Sequence, residues 1–461
     1  MDNNLEKKYG LPVAICMVVG IIIGSGIFIK ADSILEYTNN NPILGVIAWI
    51  IGGLVMLGSV MMFSIFASKY SKVNGIIDYS EYIFGKRYTY YFSVFLSYIY
   101  YPSLTSVLGW ITAKFTLELF GIYQSTSWLI FLLSIIYILL IYLINLFSPK
   151  ISGILQVSST IVKLIPIILV IIVGIVIGLI SENQATIIPS SLQEESSSLF
   201  HAICACAFAY EGWIISTSIN SELKDSKRNL PLALIFGCLI VMAIYILFFI
   251  GILSSIDISS ITSNNITDQA IRKIFGVFGN QILKLFIVIS CIGTLNGLMI
   301  ANIRSKYSMA IRGLGLWSNK YSKINKKLDM PIFSTLFGLI MCILWFFYFY
   351  FGALQSKLGF FNFDSSELPI ITIYLMYIPL FIVYMVKEIK KGQYSWKSIL
   401  FPIIATICSI FMVVCSIFAH GVFPYLENGT IPIISYSVVF SLIMIIAIIL
   451  DKFVLKHNKN H

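Results

Sequence analysis

Apolar runs of about 20 residues, the length needed to cross a hydrocarbon core of about 30 Å, recur twelve times along this chain. They run from Leu11 to Lys30, Ile43 to Ser68, Tyr88 to Phe120, Ser127 to Phe147, Ile151 to Ile180 and Leu199 to Asn220. The other six run from Pro231 to Ser254, Gln281 to Ala310, Ile332 to Phe351, Leu368 to Lys387, Ser398 to Ala419 and Ile431 to Leu450. Lipid offers backbone N–H and C=O groups no partner, so runs of this length predict helices, and the weak alternation of barrel strands is not what they show. With 58% hydrophobic and 11% charged residues and a mean hydropathy of +0.91, the 461-residue chain has too little polar surface to coat a water-soluble globule. The expected fold class is an all-α polytopic membrane protein with no soluble domain.

Charge sorts by alternate connections. Lys7 and Lys8 precede the first run, Lys69, Lys72, Lys86 and Arg87 lie between the second and third, and basic residues continue in every second connection. The intervening connections hold Asp32, Glu36, Glu182, Glu194, Glu195 and Glu427. By the positive-inside rule both termini lie in the cytoplasm, and the net charge of +10 reflects topology, not a nucleic-acid surface. The first run is long, glycine-broken and followed by no small-residue cleavage site, so it reads as a retained span and not a signal peptide. Richness in Asn, Ile and Lys hints at an AT-rich genome and a bacterial plasma membrane. The sequons Asn265-Ile266-Thr267 and Asn428-Gly429-Thr430 are adequately explained by chance.

Two runs are broken where a continuous helix would be the simplest solution. Gly24, Ser25 and Gly26 interrupt the first, and Tyr210, Glu211 and Gly212 interrupt the sixth. A glycine costs a helix interior about 1 kcal/mol relative to alanine, and backbone freed at membrane depth is tolerated only where protein, a cavity or a ligand satisfies it. Two breaks five spans apart are what a five-plus-five inverted repeat gives, with the half-helices meeting around a substrate. That repeat would occupy residues 11–390, two additional spans residues 391–450, and short cytoplasmic ends residues 1–10 and 451–461. At the first break, amides opening the half-helix near Ile27 favour an anion such as a carboxylate, while carbonyls near Ile22 suit an ammonium group. A glycine-mediated helix contact is the alternative reading of Gly-Ser-Gly.

Around these breaks, Gly20-Ile21-Ile22-Ile23-Gly24-Ser25-Gly26-Ile27-Phe28 and Phe208-Ala209-Tyr210-Glu211-Gly212-Trp213 resemble the first and sixth spans of amino acid–polyamine–organocation (APC) superfamily transporters. The resemblance extends to Glu222-Leu223-Lys224, to Arg228-Asn229-Leu230-Pro231, and to Gly293-Thr294-Leu295-Asn296-Gly297 with Arg304, and is nearest to the L-type amino acid transporter group. It covers most of the first ten spans and implies a LeuT-like inverted repeat. It also implies a candidate substrate site at Ile22, Gly24, Ser25, Gly26, Ile27, Phe208, Ala209, Glu211 and Gly212. There the amides of Ser25, Gly26 and Ile27 would hold the substrate carboxylate, and the carbonyls of Ile22, Phe208 and Glu211 the α-ammonium. Phe208 would be an aromatic gate; ordinary interhelical packing is its other reading.

Lys163 is a further anomaly, an ammonium far from either end of its span, where burial costs at least about 2.5 kcal/mol. The resemblance places it where sodium-coupled relatives bind a cation. Two coupling roles are open: a fixed charge tying the fifth span to the broken first span and Ser290, or a proton carrier. Glu211 departs from the small residue usual at its place, and it could pair with Lys163, bind a cationic or hydroxylated side chain, or carry a proton. A carboxylate satisfied by vestibule water is the bland reading. Lys114 and Glu118, four apart, are expected to pair on one helix face. His201 reads as a surface group, and the tyrosines Tyr98 to Tyr101 and the run Trp345 to Phe351 as interface belt and packing.

The leading functional reading is a secondary active permease moving L-amino acids, neutral ones first, by alternating access. Exchange and proton symport both remain open, and a channel is the alternative from another class. No Walker motif is present, and no paired carboxylates, histidine cluster or activated nucleophile sits at membrane depth, so an enzyme is not expected. The eight cysteines fall in the spans without C-x-x-C spacing, and no cofactor or metal is expected. Relatives that pair with a glycoprotein use a cysteine between spans three and four; Gly121 to Thr126 has none, so no accessory subunit is implied.

Overall fold

The computed structural model describes residues 10–70, 75–123, 126–180, 196–256, 266–328, 330–392 and 394–458. The first apolar run is two helices, α1 (Leu11–Ile22) and α2 (Gly26–Tyr37), bent by 50° at the break. After α3 (Pro42–Lys69) comes the short α4 (Ile76–Phe84), then α5 (Lys86–Phe95), which passes through one π turn (Leu96–Tyr100) into α6 (Tyr101–Leu119). Next follow α7 (Trp128–Phe147), α8 (Pro149–Ile180) and α9 (Ser196–Ala209), the last continued beyond its break by a 3-10 helix (Trp213–Glu222). The chain completes with α10 (Ser226–Ser255), α11 (Ile266–Ile311), α12 (Ser318–Tyr321), α13 (Ile332–Tyr348), α14 (Leu368–Lys390), α15 (Lys397–Ile417), α16 (Phe423–Asn428) and α17 (Pro432–Asn458). Among the described residues eleven helices are long and apolar enough to cross a membrane, or twelve when the bent pair is counted as one span. The expected all-α polytopic architecture is thus the one observed, and the described residues hold no strand.

Local chemistry sets the helix ends. Asn41 caps α3 by accepting from the amides of Ile43 (3.0 Å) and Leu44 (3.2 Å), with Pro42 at the first helical position where its missing N–H costs nothing. Ser127 caps α7 in the same way. The connection expected between Ser255 and Asn280 is not simply a loop. From Ile266 it is helical, and it joins the following span at Gly276, whose φ of 70° is the left-handed conformation a glycine allows. At its far end α17 runs past Leu450 to Asn458.

Polar bonds and close backbone approaches hold the bundle where hydrophobic burial cannot discriminate protein from lipid. Asn145 of α7 donates to Asn296 of α11 at 2.9 Å, and Asn302 of α11 donates to Tyr142 of α7 at 3.0 Å. Between α8 and α10, a Cβ added at Gly174 would stand 2.3 Å from the Gly251 carbonyl oxygen, so the two backbones meet with no side chain between them. On the face that carries the ends of α3 and α14, Lys69 reaches Glu388 at 2.5 Å. There Arg312 holds both Asp78 and Glu81, fastening α4 across the end of α11.

Candidate functional site

The two broken helices meet at mid-bundle. α1 ends with the Ile23 amide on the Val19 carbonyl, and α2 starts afresh with the Phe28 and Ile29 amides both on the Ser25 carbonyl. Among the described residues the amides of Ser25, Gly26 and Ile27 donate to no protein acceptor, as the opening turn of a helix leaves them. In the partner break, Gly212 takes a φ of 109° that only glycine adopts readily, and its Cα lies against the Ile21 carbonyl, 3.1 Å from where a Cβ would stand. Gly26 is packed just as tightly. A Cβ there would lie 2.8 Å from Cα of Ala209, so the two breaks touch backbone to backbone.

This contact encloses a cavity lined by Ile22, Gly24, Ser25, Gly26, Phe208, Ala209, Glu211 and Gly212, all drawn from the expected site. α6 contributes Leu104 and Leu108, and α11 contributes Thr294, Gly297 and Leu298. Ile27, the remaining expected site residue, does not line the cavity, and its side chain is fully buried. The Ile22 carbonyl already accepts the Tyr245 hydroxyl at 3.2 Å and the Phe208 carbonyl the Glu211 amide at 3.3 Å, each keeping a second lone pair for a ligand.

Glu211 does not pair with Lys163. Its carboxylate accepts the hydroxyl of Tyr100, which the π turn Leu96–Tyr100 presents; Tyr100 is buried with its ring against Phe95 and Tyr101, so it packs as expected and also carries this polar contact. Lys163 is buried and donates to the Gly20 carbonyl of α1, giving the tether to the first span; the expected arm to Ser290 is not formed. Ser290 lies off the cavity, its hydroxyl without a partner and its carbonyl accepting from Thr294 at 3.1 Å. Thr294 was quoted only as part of a motif, yet it lines the cavity and backs Gly24, 2.8 Å from where a Cβ would stand. The next motif glycine, Gly293, faces Ser159 of α8 at a distance no Cβ would tolerate. The side chain of Glu222 lies outside the described residues.

Phe208 also lines a larger vestibule on the face opposite Lys69 and Glu388. Lys30 stands over its ring, 5.0 Å from the centroid, and pairs with Glu367 at 2.5 Å, while His420 approaches the other Glu367 oxygen at 3.2 Å. The sequence reading missed this cluster, whose members lie on α2, before α14 and in the π turn after α15. His201, expected as a surface group, is half-buried with its ring against Tyr37 (5.3 Å) and His420 (6.1 Å). On the other side Ile215 separates the central cavity from a smaller one bordered by Ile76, Tyr101 and Ser305. Lys114 and Glu118 stand 4.0 Å apart, and Glu118 lies nearer to Lys284, at 3.1 Å. Among the described residues no group of three His, Cys, Asp or Glu side chains could hold a metal ion.

Comparison with known proteins agrees with this geometry. The serine/threonine exchanger SteT of Bacillus subtilis (strain 168) is 29% identical over 422 residues, 89% of this chain and 91% of that one. The human b(0,+)-type amino acid transporter 1 is 26% identical over 435 residues, 92% of this chain and 85% of that one. The human cystine/glutamate transporter is 24% identical over 365 residues, 78% and 71% of the respective lengths. The profile of the amino acid permease family matches residues 9–449. Two broken spans meeting at an enclosed cavity, and a family match over nearly the whole chain, make this protein a member of the amino acid permease family within the APC superfamily of transporters.

Proposed function

We propose that the chain is a secondary active transporter of neutral L-amino acids, working by alternating access in a plasma membrane with both termini cytoplasmic. The observation that carries this reading is the row of unbonded amides at Ser25, Gly26 and Ile27, which opens a half-helix beside the carbonyls of Ile22 and Phe208. Amides at a helix start suit a carboxylate, and carbonyls suit an ammonium, so the two breaks fit the invariant ends of an amino acid. Glu211, backed by the Tyr100 hydroxyl, faces the place left for the side chain, where a substrate hydroxyl could donate to its carboxylate. Serine and threonine therefore head the expected substrates, a choice also supported by the similarity to a serine/threonine exchanger.

Phe208 would close the cavity from the vestibule, which lies on the outer face in this orientation, and the Lys30–Glu367 pair would hold α2 against α14 when it closes. Lys163 is assigned the tethering role, with exchange in preference to proton symport. The test is uptake of labelled L-serine, L-threonine, L-alanine and L-arginine into proteoliposomes, empty or loaded with unlabelled serine, with and without a pH gradient. Serine uptake that requires internal serine and ignores the gradient is expected. Failure of every amino acid to enter would overturn the reading, and uptake into empty vesicles driven by the gradient would replace exchange with symport.

A further inference from the structure

A second polar cavity lies beside the vestibule between α2, α6 and α11 and shares the Ile29 wall with it. Its charges do not cancel. Lys284 sits between Asp268 (2.8 Å) and Glu118 (3.1 Å), and Arg272 takes the other Asp268 oxygen at 2.7 Å, so those four groups compensate one another. On the α2 wall, Asp32 is held by neutral donors alone, the amide (2.8 Å) and hydroxyl (2.7 Å) of Thr267. Glu36, one turn further on the same helix face, is exposed, and among the described residues its carboxylate has no ion pair or hydrogen bond. On the α6 wall, the Lys114 ammonium makes, among the described residues, one long ion-pair contact, to Glu118 at 4.0 Å, and stands 5.6 Å and 6.0 Å from the ring centroids of Trp110 and Phe115.

A separate observation points to a ligand. Asn280 lines the same cavity, is 3% exposed, and spends its amide nitrogen on Asp268 at 2.8 Å, leaving its carbonyl oxygen without any donor. A buried amide oxygen without a partner costs about 1–3 kcal/mol, which a bound donor would recover. Two unpaired carboxylates and an orphan carbonyl on one side, and an under-used ammonium on the other, complement a small ligand bearing both an ammonium and a carboxylate. A metal ion fits poorly, since no three acidic or imidazole groups converge and the lysines repel it.

We propose that this side cavity binds a second free amino acid as its zwitterion, with the ligand ammonium toward Asp32, Glu36 and Asn280 and its carboxylate toward Lys114. A ligand there would bridge the half-helix α2 to α6 and α11. The proposal rests on the reading above in one respect, that the central cavity takes the first equivalent of amino acid.

The test is equilibrium binding of labelled L-serine, L-alanine and L-arginine to the full chain in nanodiscs, comparing wild type with the double variant Glu36→Gln/Lys114→Gln. Glu36 has no structural partner and Lys114 is partly exposed, so the variant is expected to fold. The expected result is two equivalents of at least one of these amino acids per wild-type chain and one per variant chain, the lost site weakened at least about tenfold. Fewer than two equivalents on wild type for all three probes would overturn the proposal, as would two retained by the variant. Loss of both would also overturn it, because the side cavity would then not be separable from the central one. Uptake measured on the same preparations keeps failure here distinct from failure of the transport reading.

Discussion

Lys30 and Glu367 lie 337 positions apart in sequence, yet the lysine ammonium stands 2.5 Å from the carboxylate, with both side chains buried and His420 on the second carboxylate oxygen. Removing one member of such a pair strands a charge, at about 3–5 kcal/mol, whereas removing both leaves none. Lys30→Met and Glu367→Gln are each expected to lower the thermal midpoint of the detergent-solubilised protein, and the double variant to recover at least half of the summed loss. Simple additivity of the two losses would contradict the pairing.

Substitutions at Gly24 and Gly26 are expected to part company. At Gly24 an added methyl meets the Thr294 side chain, but at Gly26 it meets the backbone of Ala209. Gly24→Ala should lose stability that Thr294→Ala restores in the double variant. Gly26→Ala should stay destabilised and inactive in serine uptake whichever neighbouring side chain is shortened. Wild-type-like uptake by Gly26→Ala would refute the close backbone contact.

Tyr100→Phe keeps the ring and removes the one hydroxyl that Glu211 is seen to accept. A hydrogen bond to a charged group is worth about 1.5–3 kcal/mol, so the KM for serine uptake should rise roughly 10- to 100-fold. Alanine, which has no side-chain hydroxyl, should be affected less. Equal effects on the two substrates would move the Glu211–Tyr100 pair out of the side-chain pocket.

Lys163→Met retains most of the buried volume and deletes the donor to the Gly20 carbonyl. With that bond worth about 1.5–3 kcal/mol, the maximal exchange rate should fall at least about tenfold while the protein remains monodisperse. Exchange at the wild-type rate would show that the tether carries nothing.

The two breaks were legible because glycines and a carboxylate inside apolar runs violate local rules, and they do line one cavity. What those breaks touch was not legible. That Gly26 lies on Ala209, or Lys163 on Gly20, is a contact across the fold that no local pattern encodes. That the packed Tyr100 would also donate to Glu211 was not legible, because the contact crosses 111 positions of sequence. Lys30 was read as the end of a span and Glu367 as part of a polar connection, and neither shows in sequence that the other exists. His201 was set aside as a surface group although its ring packs beside His420.

The bare contact between Gly174 and Gly251 gives α8 and α10 a seam with no side chains to slip past one another. α1 is stitched to both sides of that seam, by Lys163 of α8 at Gly20 and by Tyr245 of α10 at Ile22. α2 is pinned elsewhere, to α14 through Glu367 and to the start of α11 through Thr267. The halves of the first span are thus fastened to different neighbours, and residues 23–25 are the covalent link between the two sets of fastenings.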